Sequence, residues 1–142
     1  MANVAPFYQR LRWQNYLEIA QILGASVEMQ EKNGLQLTSN LHSTDETVLQ
    51  NWIQWHRQYP PSPRSAFNQL LASARFRFTD KPRHPILLLG SQQDRLVDPR
   101  CTQNLHRLWH ADLFEHPTAG HDLPLDDPQW VIDRTSDWLA SV

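Results

Sequence analysis

A chain of 142 residues with 40% apolar and 20% charged residues has the composition of one globular domain, not that of a disordered chain. The net charge of −2 provides no basic field for nucleic acid, and the single cysteine, Cys101, excludes a disulfide framework within the chain and favours a reducing compartment. The N-terminus lacks the apolar core of a signal peptide and no apolar run approaches transmembrane length, so we expect a cytoplasmic protein with neither a nucleic-acid partner nor a membrane span.

Helical patterns fill most of residues 1–80. The periodicity of apolar residues predicts a first helix over residues 12–23, which ends at Gly24. Its apolar face is formed by Trp13, Tyr16, Leu17, Ala20 and Leu23. Residues 26–41 are ambiguous, and the pair Asn33-Gly34 within them predicts a turn.

Two further helices are predicted on either side of a pair of prolines. A helix over residues 43–59 begins with capping residues and ends before Pro60-Pro61, because proline cannot continue a helix. The next helix begins at Ser62-Pro63, with proline at the first helical position. The apolar sides of these helices consist of Val48, Leu49, Trp52, Ile53 and Trp55 and of Phe67, Leu70, Leu71 and Ala74.

Strand and helix patterns alternate after residue 80. Residues 81–85 form a linker, and the apolar run 86–90 between a proline and a glycine is typical of a strand buried on both faces of a parallel sheet. A helix begins after Asp98-Pro99, residues 111–116 form a weaker strand pattern, and a last helix begins after Asp127-Pro128. The buried faces of the two helices consist of Cys101, Leu105, Leu108 and Trp109 and of Trp130, Val131, Trp138 and Leu139. We therefore predict an α/β fold in which a helical segment (1–80) precedes a right-handed βαβα unit (81–142).

Two polar residues follow the predicted strands, where functional groups of parallel sheets gather. Asp94 lies in the loop after the first strand, and His121 lies in the loop after the second. Neighbouring parallel strands lie about 4.8 Å apart, so the two loops end side by side and the carboxylate can hydrogen-bond to the imidazole. Such an acid fixes the tautomer of a histidine that acts as a general base. Asp98 is the weaker candidate for this acid because it is the predicted helix cap. The alternative interpretation of the whole pair is that Asp94 is a solvated loop acid and His121 a turn residue.

The stretches PILLLGSQQDRLVDP (85–99) and HPTAGHDLPLDDPQW (116–130) resemble the C-terminal third of α/β-hydrolase-fold enzymes. In that family the acid of the triad follows the penultimate strand, and the histidine follows the last strand. The resemblance implies Asp94 as the acid and His121 as the base of a serine esterase or lipase, with carboxylic esters or related acyl compounds as substrates and no cofactor. It also implies that the preceding helices are cap-like and roof a substrate pocket.

The serine of such a triad has no counterpart in these 142 residues. The family places it in a G-x-S-x-G turn between a strand and a helix. The glycines are Gly24, Gly34, Gly90 and Gly120, and no two are four positions apart, so the motif cannot occur. The residue two places before each glycine is not serine, cysteine or aspartate. We therefore expect a truncated chain that carries the acid and the histidine and is inactive alone.

Other side chains are weaker candidates. His106 and His110 are spaced i, i+4 on one predicted helix, but the glutamate of H-E-x-x-H is absent and no further ligands follow at a familiar spacing, so we expect no metal site. Cys101 belongs to an apolar helix face and is predicted to be a core residue. The hydroxyl groups of Ser91 and Thr118 lie near the predicted pair, but neither belongs to a strained strand-to-helix turn.

The predicted sheet has too few strands to be self-sufficient. Two strands leave exposed edges, and such edges pair with other chains. We expect association, either between copies of this chain or with a chain that supplies the nucleophile. The alternative to a hydrolase is a non-catalytic fragment, a pseudoenzyme or a module that binds a small molecule through the aromatic residues of the helical segment.

Overall fold

The secondary structure changes along the chain from helices to mixed strands and helices. The computed structural model describes residues 11, 12, 14, 15, 17, 19, 22, 24–75 and 81–142. In chain order, its elements are α1 (Val27–Thr38), α2 (Glu46–Gln58), α3 (Pro63–Arg75), β1 (Leu87–Ser91), α4 (Arg100–Trp109), β2 (Asp112–His116), α5 (Leu123–Asp126) and α6 (Pro128–Leu139). The described residues thus combine helices with a small parallel sheet, which is α/β in the coarse sense predicted.

Half of the residues of the first predicted helix, over residues 12–23, lie outside the described residues. Its apolar face includes one described residue, Leu17, which is exposed and not buried as predicted. The positions of that face that lie outside the described residues are Trp13, Tyr16, Ala20 and Leu23. Leu11, at the start of the described chain, forms an isolated antiparallel bridge to Val97, which holds this start against the loop after β1.

Helix α1 runs through Asn33-Gly34, so the turn predicted there is wrong. The helix begins at Ser26, whose Oγ accepts a hydrogen bond from the amide of Met29 at 3.4 Å. A glycine inside a helix costs about 1 kcal/mol relative to alanine. The next residue, Leu35, is almost completely buried, and burial of a leucine side chain contributes about 1.5–3 kcal/mol. Tertiary packing therefore outweighs the local preference for a turn.

Helices α2 and α3 lie close to their predicted positions. The carboxylate of Asp45 accepts hydrogen bonds from the amides of Thr47 (2.9 Å) and Val48 (3.1 Å) and so caps α2. Helix α2 ends before Pro60-Pro61, and α3 begins at Pro63, as predicted. Proline and an acidic cap are signals that act within one helical turn, so the sequence is sufficient to predict them.

The predicted apolar sides of α2 and α3 are buried only in part. Ile53 is buried, but Trp55 and Phe67 are exposed, so for these two aromatic residues the prediction is wrong. The side chains of Leu70 and Ala74 lie outside the described residues. Helix α2 packs mainly against α1, and α3 packs extensively against no other described element. The other described positions of the predicted apolar sides are therefore only half-buried: Val48, Leu49, Trp52 and Leu71.

Strands β1 and β2 pair in parallel at the predicted positions, and α4 connects them. The register places Leu87 opposite Asp112 and Ser91 opposite His116. The prediction that the first strand is buried on both faces is wrong, because its residues before Ser91 are only half-buried. Among the described residues each strand has a single sheet neighbour, so one edge of each strand is left without a strand partner.

Helix α4 supplies much of the core beside the sheet. Cys101, Leu105 and Trp109 are buried, and the prediction that Cys101 is a core residue is confirmed. Leu108 is exposed, which contradicts its predicted place on the buried face. The N-cap position of α4 is Pro99 and not Asp98, although the carboxylate of Asp98 still accepts the amide hydrogen of Arg100 at 3.0 Å.

Helix α6 begins at the predicted cap. Asp127 Oδ1 accepts a hydrogen bond from the amide of Trp130 at 2.9 Å. The predicted apolar stripe is less buried than expected: Trp130, Val131 and Trp138 are half-buried, and Leu139 is exposed. The helix packs on α5 and β1, so part of its apolar side faces solvent. In the part of the chain that the structure describes, no helix has both the length and the apolar character needed to cross a bilayer.

Candidate active site

The loops that follow β1 and β2 lie side by side and bring Asp94 and His121 together. The amide of Gln92 donates to the carbonyl oxygen of His116 at 3.0 Å, which continues the parallel pairing past the last residues of the strands. Asp94 Oδ2 then lies 2.8 Å from His121 Nδ1. The predicted contact between these two side chains is therefore present.

The carboxylate of Asp94 is held in place from its other side. Its Oδ1 accepts hydrogen bonds from the backbone amides of Leu96 at 2.8 Å and Val97 at 2.9 Å. Oδ2 remains available to His121, and only 13% of the Asp94 side chain is exposed. Asp94 is therefore not a freely solvated loop acid, because three hydrogen bonds fix both of its oxygen atoms.

The contact with Asp94 determines the tautomer of His121. An ionised carboxylate can only accept a hydrogen bond, so Nδ1 of His121 carries the proton that it donates to Asp94. In the neutral ring Nε2 then holds a lone pair. No described residue forms a hydrogen bond with Nε2, and 39% of the His121 side chain is exposed. A histidine in this state can accept a proton at Nε2 while Asp94 stabilises the resulting imidazolium.

His116 is a second histidine of this region, and its role was missed by the sequence analysis. Its Nδ1 accepts hydrogen bonds from the amides of Ala119 at 2.8 Å and Thr118 at 3.2 Å. Nδ1 is therefore unprotonated, and Nε2, 3.3 Å from Asp127 Oδ2, carries the proton. His116 is buried, packs edge-on against Trp130 and fixes the loop that leads to His121. The two histidines thus adopt opposite tautomers.

Asp126 is a buried carboxylate that joins residues 38–42, which we call the bridging segment, to the loop that carries His121. Its Oδ2 accepts hydrogen bonds from the amides of Gly120 at 2.6 Å and Asn40 at 2.9 Å, and its Oδ1 accepts one from the hydroxyl of Ser39. Burial alone raises the pKa of Asp126, but these hydrogen bonds outweigh it and hold the pKa below its ordinary value. The carboxylate is therefore ionised and acts as a hub of hydrogen bonds.

The bridging segment also contacts both loops through Asn40. The side-chain amide of Asn40 donates to the carbonyl oxygen of Gln93 at 3.1 Å and to that of Thr118 at 3.0 Å. Gln93 precedes Asp94, and Thr118 lies in the loop before His121. One side chain therefore links the two loops whose ends form the pair. Sequence reasoning missed it because residues 26–41 offered no clear pattern.

Gly120 is required for this close approach and not for an unusual backbone angle. A Cβ atom at Gly120 would lie 2.5 Å from the carbonyl oxygen of Thr38 and 2.9 Å from the amide nitrogen of Asn40. None of the described glycines has a positive φ. The glycine before His121 thus allows the backbone of the bridging segment to pack directly on the loop.

A cavity of about 210 Å³ lies beside the Asp94–His121 pair. Apolar side chains form much of its wall, and the two polar side chains of the pair lie at the same cavity. The lining residues are Leu88, Leu89, Gly90, Ser91, Asp94, Val97, Asp98, Pro99, Cys101, Thr102, Leu105, Glu115, His121 and Leu123. An apolar cavity with a few convergent polar groups is the usual form of a small-molecule site, and this one is smaller than most.

The hydroxyl group of Ser91, one of the two weaker candidates, forms hydrogen bonds to the backbone of both loops. Ser91 is buried, its Oγ donates to the carbonyl oxygen of Ala119, and it accepts the amide hydrogen of Gln93 at 3.2 Å. Among the described residues one non-glycine residue, His110, has a positive φ, so neither Ser91 nor Thr118 occupies a strained left-handed turn. That neither hydroxyl is a nucleophile stays a prediction.

The predicted pair of histidines on α4 does not form part of a metal site in the described structure. His106 Nδ1 lies 2.6 Å from the carbonyl oxygen of Ala111, so the His106 side chain contacts the backbone just after the end of its own helix. His110 is the residue that ends α4, with a φ of 49°. Within the described ranges no cluster of three or more histidine, cysteine or acidic side chains could hold a metal ion.

Comparison of the whole chain with known proteins finds no matching protein family, no matching curated protein and no matching solved structure.

Proposed function

We propose that this chain supplies the acid and the base of a hydrolase of the α/β-hydrolase type, with carboxylic esters or related acyl compounds as substrates. The observation that carries the proposal is the 2.8 Å contact between Asp94 Oδ2 and His121 Nδ1 at the carboxyl ends of two adjacent parallel strands. In open parallel sheets this is the edge at which reactive groups gather. The cavity beside the pair offers an apolar space for a small acyl group.

In the proposed reaction His121 transfers a proton and Asp94 stays ionised. Nε2 of His121 accepts the proton of a serine hydroxyl while the serine oxygen attacks the ester carbonyl carbon. The imidazolium then donates the proton to the leaving alkoxide, and an acyl-serine forms. A water molecule releases the acid in the reverse sequence of proton transfers. Asp94 keeps the ring in the required tautomer throughout. No cofactor takes part.

The proposal requires a nucleophile that these residues do not contain, since a G-x-S-x-G motif is absent from the 142 residues. We infer that another chain or segment provides it. Two features support association. Each strand of the described sheet has one edge without a strand partner, and exposed apolar side chains lie on the neighbouring helices at Leu108, Ile132 and Leu139.

The test is hydrolysis of p-nitrophenyl butyrate by two preparations: the isolated chain, and the tagged chain purified from its native host together with whatever it binds. We expect the second preparation to hydrolyse the ester in a manner that depends on this pair. His121→Ala and Asp94→Asn should each lower its rate by about 100-fold or more. The isolated chain should show no rate above buffer.

His42→Ala is the matched control for the histidine substitution. His42 lies 3.3 Å from Asp45, and its side chain is 37% exposed, close to the value for His121. Its removal should leave the rate unchanged. A rate that His42→Ala and His121→Ala lower equally, or an absence of hydrolysis in both preparations, would contradict the proposal.

The second candidate function is a non-catalytic module that binds a small molecule through the helical segment. The observation that favours it is the exposure of large aromatic side chains on α2 and at its C-cap, where Trp55 is 58% and Tyr59 70% exposed. Such side chains are expensive to leave in water unless a ligand covers them.

A further inference from the structure

An open groove lies on the helical segment, away from Asp94 and His121. It has a volume of about 380 Å³ and is lined by Glu31, Trp52, Trp55, His56, Tyr59 and Pro61, which together we call the aromatic groove. The four residues from α2 and its C-cap are spaced i, i+3, i+4 and i+7, so they share one side of the helix. The groove shares no lining residue with the cavity beside the Asp94–His121 pair.

Two of the three aromatic side chains of the groove are largely left out of the packing of α2. That packing involves the buried Ile53, whereas Trp55 and Tyr59 are mostly exposed and Trp52 is half-buried. Each exposed aromatic ring forgoes the free energy that burial would provide. An open groove that gathers two exposed rings and one half-buried ring is therefore suited to a ligand with a flat or rounded surface of its own.

The charges of the groove favour a cation. Glu31 forms the one acidic wall, and its carboxylate accepts a hydrogen bond from His56 Nδ1. With His56 neutral the pair carries one negative charge, and with His56 protonated it carries none. Arg57, the nearest basic residue along α2, is paired with Glu28 and does not line the groove. The one basic residue of the lining, His56, is paired with Glu31, and no lysine or arginine lines the groove to bind an anion.

We propose that the aromatic groove binds a small alkylammonium cation, of the choline or methylated-amine class. The negative faces of indole and phenol rings attract such a cation, and a quaternary ammonium loses little hydration when it enters an aromatic site. Glu31 adds a charge of the opposite sign at the wall. This proposal is independent of the hydrolase proposal, because it concerns other residues and requires no reaction.

The test compares choline with 3,3-dimethylbutan-1-ol, a neutral molecule of the same shape, in titrations followed by ¹⁵N–¹H NMR of the full chain at matched ionic strength. We expect choline to shift the indole signals of Trp52 and Trp55 saturably, with a Kd on the order of millimolar. The neutral analogue should bind about fivefold more weakly. Glu31→Gln should weaken choline binding, and Trp55→Ala and Tyr59→Ala should each abolish it.

Phe67→Ala is the control, because Phe67 is an exposed aromatic residue of α3 that does not line the groove. It should bind choline like the wild type. Because Trp55, Tyr59 and Phe67 are all exposed, their replacement leaves the described core intact, and signal dispersion checks this in each variant. Equal binding of choline and its neutral analogue would overturn the proposal. So would choline binding that survives both aromatic substitutions, or no saturable shift up to about 50 mM choline.

Discussion

Replacement of Asp126 by asparagine tests whether the bridging segment is fixed to the loop of His121 by one buried carboxylate. The two oxygen atoms of Asp126 accept hydrogen bonds from Ser39, Asn40 and Gly120. Asparagine offers one oxygen and one NH₂ group, and its better orientation keeps the oxygen toward the amides of Gly120 and Asn40. The NH₂ group then faces the hydroxyl of Ser39, which can turn to accept a hydrogen bond, and the amide of Leu41, which lies 3.4 Å from Oδ1 of Asp126 and loses its acceptor. A buried donor without an acceptor costs about 1–3 kcal/mol, and the two remaining amides exchange an ionised acceptor for a neutral one, which weakens their hydrogen bonds.

We therefore expect Asp126→Asn to lower the free energy of unfolding by about 2 kcal/mol, a substantial part of the roughly 5–15 kcal/mol of a typical domain. Urea denaturation followed by tryptophan fluorescence measures the change. Asp122→Asn is the matched control: Asp122 is an acid of the same loop whose side chain makes no capping hydrogen bond, and its replacement should stay within about 0.5 kcal/mol. A loss below about 1 kcal/mol for Asp126→Asn, or equal losses for both variants, would refute the reasoning.

Three further predictions concern packing, pH and association. Gly120→Ala should lower the free energy of unfolding by about 2 kcal/mol, because its Cβ would lie 2.5 Å from a carbonyl oxygen. Gly34→Ala is the control: Gly34 lies inside α1 with open space around it, so this change should raise the free energy of unfolding by about 0.5–1 kcal/mol. Equal effects of the two substitutions in urea denaturation would argue against the close approach at Gly120. The pKa of Asp126 lies below its ordinary value of 3.8. The difference in free energy of unfolding between wild type and Asp126→Asn should therefore be complete above pH 3.8 and decline as the pH falls below it. A difference that grows in acid would contradict an ionised Asp126 in the folded protein. Light scattering at micromolar concentration should give a mass above that of one chain, because among the described residues each strand of the sheet has one edge without a strand partner. A monomeric mass would count against association.

The parts of the fold that depend on neighbouring residues were predictable from the sequence. The strands near residues 86–90 and 111–116 are defined by short apolar runs, and Asp127 caps α6 within one helical turn. The contact between Asp94 and His121 followed from the rule that adjacent parallel strands end at the same edge of a sheet. Each of these inferences needs only local spacing and one general rule of topology.

The parts that depend on distant residues were not predictable. Asp126 is bonded to Ser39 and Asn40, which are more than eighty positions away in the chain, and no local pattern indicates such a partner. Helix α1 passes through Asn33-Gly34 because Leu35 is buried by the fold. Amphipathic spacing likewise identifies an apolar face but does not tell whether another element covers it, which is why Leu108 and Leu139 were misassigned.

The buried histidine also illustrates a limit of motif reading. His116 lies at the start of the stretch that suggested a hydrolase, yet only the geometry shows that it accepts two backbone hydrogen bonds and orders the loop. A histidine at the end of a strand looks the same in the sequence whether it transfers a proton or holds a loop in place through hydrogen bonds. The two histidines of this loop differ in their partners, and those partners are visible only in three dimensions.

The most direct test of the central claim is a long-range ¹H–¹⁵N NMR correlation of the histidine rings at neutral pH. The claim is that Asp94 holds His121 as the Nδ1–H tautomer with a free lone pair at Nε2. His116, whose Nδ1 accepts two amide hydrogen bonds, is an internal reference of the opposite tautomer. We predict a protonated Nδ1 and an unprotonated Nε2 for His121, the reverse for His116, and loss of the His121 preference in Asp94→Asn while His116 is unchanged. A His121 ring protonated at Nε2 in the wild type, or one whose tautomer is indifferent to Asp94→Asn, would contradict the account.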